Sequence, residues 1–346
     1  MASLRAGPCQ RPGERTLAQA KVLRETKQQI ITLVNESESR WAPDGEEARA
    51  LRRRAESMWN RDYFEGVVVP LLDVRPNGNA LDVGTGLGSL VFLLSSVRAD
   101  LSLTGVDSEV GLVEEANAAA QGLGLDRVRF EVADAASLPY EGDLFDLVMC
   151  QTLLGHVPDP TAVVEEMARI VKPGGAFFAA EWTDRALSAL PVDNVLAPTV
   201  GRAAETYRLT KTYSEGRRIL GRGNDEAGLR APLYAANAGL EVVDVRYSDR
   251  LWHAIPPYAK PSEQDWVESA RSWTADPVDA DLSAWAAENI DAAGGTRDDV
   301  DRYVELTESA EDKRKWSDAI AAGEFGVVST LAMILTFARK PVSHTA

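Results

Sequence analysis

The sequence predicts an α/β fold: a seven-stranded, mostly parallel sheet with helices on both faces, N-terminal helices before it, and a helical insertion between strands six and seven. Three observations carry this. Short β-rich runs alternate with helical patterns through the middle of the chain. At Ala80-Leu81-Asp82-Val83-Gly84-Thr85-Gly86-Leu87-Gly88-Ser89-Leu90 an apolar run passes through three alternate glycines into an apolar helical pattern, a strand turning tightly into a helix. The chain has 346 residues and a 45% hydrophobic fraction, enough for such a domain with added elements.

Taken in order, residues 1–14 carry Pro8, Pro12 and Gly13 and read as a disordered tail. Residues 15–75 read as a helical cap, with helices over Thr16–Val34, Gly45–Trp59 and Tyr63–Leu72. The strands are Asn79–Val83, Leu101–Val106, Val128–Val132, Leu144–Met149 and Ala176–Glu181, separated by helices Leu87–Val97, Val110–Leu123 and Thr161–Val171. A helix over Ala227–Ala238 closes at Gly239, and Glu241–Tyr247 and Val327–Arg339 supply strands six and seven. Residues 76–248 with 327–340 therefore form the core. Residues 249–326 form a mostly helical insertion, expected to cap the substrate, with five of the chain's eight tryptophans.

The turn also carries chemical information. A dinucleotide fingerprint needs its third glycine at the sixth position, where this chain has Ser89. The acid at the strand end, Asp82, would repel a pyrophosphate and attract an ammonium or sulfonium group. The turn thus suits an adenosine ligand with a cationic tail. Asp107 ends the second strand, where a carboxylate suits acceptance from two ribose hydroxyls by charge-assisted hydrogen bonds. Asp134 and the backbone N–H of Ala135 end the third and suit the adenine edge.

Composition narrows the function. A net charge of −16, with Arg52-Arg53-Arg54 and Lys313-Arg314-Lys315 set among acids, argues against nucleic acid and against an anionic membrane as partners. Cys9 and Cys150 make no metal-ligand spacing and no disulfide scaffold. With neither an apolar leader nor a membrane-length apolar run, a cytoplasmic protein without a metal is expected.

Asp82-Val83-Gly84-Thr85-Gly86-Leu87-Gly88, Asp107, Asp134-Ala135-Ala136-Ser137-Leu138-Pro139-Tyr140, Gln151 to Pro160 with its His156-Val157-Pro158-Asp159-Pro160 turn, and Lys172-Pro173-Gly174-Gly175 fall in one order over Asn79–Glu181. Together they resemble the class I S-adenosylmethionine-dependent methyltransferases of the small-molecule kind, including quinone-biosynthesis and secondary-metabolite enzymes. The fourth segment lacks the Asn/Asp-Pro-Pro-Tyr of amino-methylating nucleic-acid enzymes. The resemblance implies a Rossmann-like sheet whose last strand runs antiparallel, S-adenosyl-L-methionine as cofactor, and S-adenosyl-L-homocysteine as product. It implies cofactor contacts at Asp82, Gly84, Thr85, Gly86, Gly88, Asp107, Ser108, Asp134, Ala135 and Gln151. The reaction it implies is in-line methyl displacement, in which proximity and alignment supply much of the acceleration; the acceptor is a small, aromatic or apolar metabolite reacting at O, N or C.

A base is needed only where the acceptor holds its proton. His156, beyond the fourth strand, Glu181 at the end of the fifth, and His253 at the start of the insertion are the candidates. Candidate substrate-lining residues are Trp59, Tyr63, His156, Trp182, Tyr207, Tyr213, Trp252 and Trp273, weighed against simple burial in a helical core. A cofactor-binding enzyme of the same fold with a cyclase or regulatory role, and methylation of a macromolecule, are alternatives. A homodimer is one option for the assembly.

Overall fold

The computed structural model describes residues 58–183, 192–193, 195–196, 199–249, 252–275, 280–329 and 332–342. The tail, the helix Thr16–Val34 and nearly all of Gly45–Trp59 lie outside them, as does the side chain of Trp252.

The first described helix joins Arg61–Tyr63, a π-helical turn Phe64–Val68 and Val69–Leu72 (together α1). The alternating region follows as β1 Asn79–Val83, α2 Ser89–Val97, β2 Ser102–Asp107, α3 Val110–Gly122, β3 Val128–Val132, β4 Phe145–Gln151, α4 Pro160–Ile170 and β5 Val171–Trp182. Next come β6 Val192–Asp193, α5 Val200–Ile219, α6 Ala227–Asn237, β7 Glu241–Tyr247 and β8 Trp252–Ala254. Four helices, α7 Pro261–Ala275, α8 Ala280–Ala292, α9 Arg297–Thr307 and α10 Ala310–Ala322, lead to β9 Val327–Ser329 and β10 Met333–Arg339.

The main sheet has seven strands in the order β3-β2-β1-β4-β5-β10-β7. β1 pairs in parallel with β2 and β4, and β4 with β5, whereas β10 runs antiparallel between β5 and β7. This is the sheet expected, with its antiparallel last strand. Parallel strands covered on both faces need apolar residues on both, and β4 is buried from Phe145 to Cys150. One apolar layer, with Phe64, Leu94, Phe178 and Phe337, covers one face; another, with Val148, Met167, Phe177 and Ala231, covers the other. The turn into α4 is capped locally: Asp159 accepts from the N–H groups of Thr161 and Ala162 at 3.0 and 3.1 Å, and Pro160 opens the helix.

Two boundaries differ most from the sequence reading. Val327–Arg339 is two strands: Val327–Ser329 joins β6 and β8 in a separate three-stranded sheet, and Met333–Arg339 enters the main one. Apolar patterning is continuous across the break, so it cannot mark a change of partner. The fifth strand starts earlier, at Val171, because the Lys172–Gly175 turn is held by Gly174 N–H to Lys340 O (2.7 Å) and Lys340 N–H to Gly175 O (3.1 Å).

The helices after β5 build two further apolar clusters. α5 packs on α8 and α9 through Leu209, Tyr213, Ile290, Val300 and Tyr303. α7 and α10 enclose Val267, Trp316, Ile320 and Phe325 with β8 and β9. α5 and α8 cross at Gly216, where a Cβ would come within 1.6 Å of Asn289 O, a backbone atom that cannot swing aside. Gly216→Ala is therefore expected to destabilise the protein by about 2–3 kcal/mol, read from the denaturation midpoint.

Candidate cofactor and active site

The parallel register brings the carboxyl ends of β1, β2, β4 and β5 to one edge of the sheet, pairing Val83 with Val106 and with Cys150. Strand order reverses between β1 and β4, where open α/β sheets form a crevice. The glycine turn lies there. Gly84, Gly86 and Gly88 have φ of 69°, 54° and 79°, the left-handed region. Space is just as restrictive: a Cβ on Gly84 would meet Leu153 Cδ1 at 2.5 Å, and one on Gly88 would meet Phe130 Cζ at 2.5 Å. The turn is pinned by Thr85 N–H to Val106 O (2.9 Å) and Gly88 N–H to Thr85 O (2.8 Å).

Asp82 is 1% exposed. Its Oδ2 accepts from the Thr85 hydroxyl at 2.7 Å, while Oδ1 is buried without a hydrogen-bond partner among the described residues. Burial pushes its carboxyl up to about 7, against the pull of Thr85 and aided by nearby Asp107. Asp107 accepts the Gly86 N–H at 2.8 Å on one oxygen and the Glu109 N–H at 3.0 Å on the other. Burial raises its pKa as well, opposed by those amides. A carboxylate has about four lone-pair sites, so acceptor capacity is left for a ligand. Asp134 is exposed at the end of β3; its Oδ1 accepts the Ala136 N–H at 2.9 Å, and Ala135 is partly buried beside it. Ser108 is exposed beside Asp107.

Gln151 ends β4 and takes the indole N–H of Trp59 on Oε1 at 2.6 Å. Trp59 is buried against Phe64 and Phe178, so the residues before α1 close over the β4 end. Glu181 is 1% exposed, and its Oε1 accepts the N–H groups of Leu153 and Leu154, both at 2.8 Å. Burial pushes it up to about 7, opposed by hydrogen bonds from Leu154, Leu153 and Gly155. Cys150 lies beside it with Sγ 3.8 Å from Oε1, and burial with both carboxyls drives its thiol upward. His156 closes this loop, its N–H bonded to Leu153 O at 2.8 Å.

The glycine turn, Asp82, Thr85, Asp107, Gln151, Glu181 and the His156 loop thus gather at one edge, with Trp59 beside them. The remaining candidates have other surroundings. His253 is on β8, its Nε2 3.4 Å from Glu263 Oε1. Trp273 stands edge-on to Trp316 at 5.0 Å, beneath the Lys313 ammonium. Tyr213 is buried and stacks on Tyr303 at 5.0 Å. Tyr207 is exposed on α5. The Tyr63 hydroxyl donates to Tyr247 O at 3.2 Å, and Trp182 packs partly buried on the main core. The sequence reading placed Leu153 and Leu154 in the fourth segment without a role and overlooked the Gly223-Asn224-Asp225 turn; together these build the loop around His156. Gly223, with φ of 116°, is the one local signal among them.

This sheet order and turn define an open, doubly wound α/β sheet with a glycine turn at its β1/β4 switch point. Residues 75–217 match the family described as a methyltransferase domain. The chain is 33% identical over 113 residues to the uncharacterized methyltransferase YcgJ of Bacillus subtilis, covering 33% of this chain and 44% of that one. It is 37% identical over 106 residues to the 27-O-demethylrifamycin SV methyltransferase of Amycolatopsis mediterranei, covering 30% and 39%. The crystal structure of YcgJ aligns at 18% identity with a TM-score of 0.46, over 81% of this chain and 98% of that one. Residues 75–217, under half of the chain, are thus similar to a methyltransferase domain, and the alignments span under half the length of those curated relatives. Among the described residues no helix is long and apolar enough to cross a membrane, and no cluster of His, Cys, Asp or Glu could hold a metal ion.

The buried carboxyls make stability depend on pH. A folded pKa above the unfolded one gives stability that is full below the unfolded carboxylate range and lost as pH rises toward about 7. The ligand-free protein should lose stability between about pH 4 and about pH 7, and Asp82→Asn should shrink that loss by about 2 kcal/mol or more in urea unfolding.

Proposed function

We propose that this protein transfers the methyl group of S-adenosyl-L-methionine to a small, aromatic or apolar metabolite, releasing S-adenosyl-L-homocysteine. The observation that carries the reading is Asp82: a carboxylate buried with one unpartnered oxygen beneath a bare glycine turn suits an ammonium neighbour and disfavours a phosphate. Asp107, already oriented by two amides, takes the ribose hydroxyls, and Asp134 with the Ala135 N–H takes the adenine edge. Ser108 and Gln151 complete the contacts.

The cofactor supplies a methyl already activated on sulfonium, so the chain need form no covalent bond. Its residues bind, align and exclude water. The buried Trp59 and Gln151 pair closes the β4 end. His156, on the loop that borders the glycine turn, is the group we assign to the acceptor's proton; the structure ties His253 to Glu263 on the insertion, so His253 is the weaker assignment. Support for a small acceptor comes from relatives such as the rifamycin enzyme and the ubiquinone/menaquinone C-methyltransferase UbiE of Desulfotalea psychrophila.

Titration calorimetry should show micromolar binding of S-adenosyl-L-methionine, weakened about a hundredfold or more by Asp107→Ala, since two charge-assisted hydrogen bonds go with the carboxylate. No binding by the natural sequence would sink the reading. Binding without any product one methylene heavier, across a broad acceptor panel, would instead favour a non-methylating role.

A further inference from the structure

Glu181 ends a strand beside the cofactor edge, where a free carboxylate could serve as a base. Its Oε1 is instead committed to the loop after β4. The consecutive N–H groups of Leu153, Leu154 and Gly155 converge on its carboxyl, the first two at 2.8 Å. Three successive amides aimed at one anion form a nest. The Cys150 thiol adds a weak donor at 3.8 Å.

The loop so held is not relaxed. It starts at Thr152, a non-glycine residue at φ 50°, whose N–H bonds to Ala180 O at 2.9 Å. Its first leucine is the residue that a Cβ on Gly84 would strike, so the loop forms one wall of the glycine turn.

A second set of contacts grips the same loop from the other side. Gly155 O accepts the Asn224 N–H at 3.1 Å, and Gly223 approaches so closely that a Cβ there would lie 2.2 Å from that oxygen. The next residue, Asp225, is buried in an ion pair with Arg217 of α5 and accepts from the Ser214 hydroxyl at 2.7 Å. Arg217 also donates to Arg222 O at 2.8 Å, closing the turn. α5 is in turn packed against α8 and α9.

We propose that Glu181 is a positioning residue: its carboxyl and the buried Arg217–Asp225 pair clamp the Leu153–His156 loop from opposite sides, setting through Leu153 the wall of the cofactor turn and through His156 the acceptor side. This rests on the reading of that turn as the S-adenosylmethionine site. The clamp makes the helices after β5 part of the cofactor site without touching the ligand.

The test uses the full chain, residue-resolved hydrogen exchange and calorimetry with S-adenosyl-L-homocysteine as the probe. Glu181→Ala should speed exchange at Leu153, Leu154 and Gly155 about tenfold or more and weaken the probe about tenfold. Glu181→Gln, whose amide oxygen still accepts, should restore both to within about threefold. Asp225→Asn should speed exchange at Asn224 and Gly155 with Glu181 intact. A carboxylate serving only as a base would leave exchange and probe affinity unchanged in Glu181→Ala, and that result overturns the proposal. Should Glu181→Ala not fold, Glu181→Asp, one methylene short of the amides, takes its place with the same expectation. If the natural sequence does not bind the probe, the cofactor reading fails, while the exchange data still decide the clamp.

Discussion

Close approach at the carboxyl edge of the sheet is the constraint on which the rest of the structure depends. Gly84, Gly88 and Gly105 each sit where a Cβ would fall within 2.6 Å of a neighbour, and those neighbours are Leu153, Phe130 and Thr85. β1, β2 and the loop after β4 can therefore meet only through bare backbone. That contact sets the depth of the turn, the burial of Asp82 beneath it, and the position of the loop that carries His156. Protein interiors are close-packed, so one added methyl here displaces a leucine or a phenylalanine already in the core.

The two ends of the sheet treat buried acids in opposite ways. At the amino end Asp146 is fully provided for, accepting from Asn79 N–H at 2.9 Å and pairing with Lys172 and Arg75 at 2.9 and 2.7 Å. It holds α1's connection and the start of β5 to β4. At the carboxyl end Asp82 and Glu181 have no cationic partner among the described residues, and burial pushes both up to about 7. Leaving acids without a counter-charge costs stability, and such sites are found where a ligand or a mechanism uses the charge. In this chain one acid suits a cationic ligand, and the other is held by loop amides.

The aromatic residues after β5 show why composition misleads about sites. Trp273, Trp316 and Phe325 form a chain of ring contacts at 5.0 and 4.9 Å, and Tyr213 stacks on Tyr303. These rings pack with Val267 and Ile320 in one cluster and with Leu209, Ile290 and Val300 in the other, so they are the cores of the added helices. The link from α5 to the carboxyl edge of the sheet runs through backbone and ions, at Gly223 and the Arg217–Asp225 pair.

The sequence by itself determined the local features: strand and helix identities from period, the glycine turn from residues that alone tolerate left-handed dihedrals, and the acids at strand ends from their offset to that turn. Each depends on neighbours within a few residues, so pattern suffices. Only the tertiary structure decided what those groups do. Whether Glu181 faces a ligand or loop amides, whether Val327–Arg339 serves one sheet or two, and whether Trp273 lines a cavity or fills a core depend on partners far along the chain, such as Leu154 for Glu181, Val192 for Val328 and Trp316 for Trp273. Long-range hydrogen bonds and packing leave no period in the chain, because the residues that make them are chosen for fit with a distant surface.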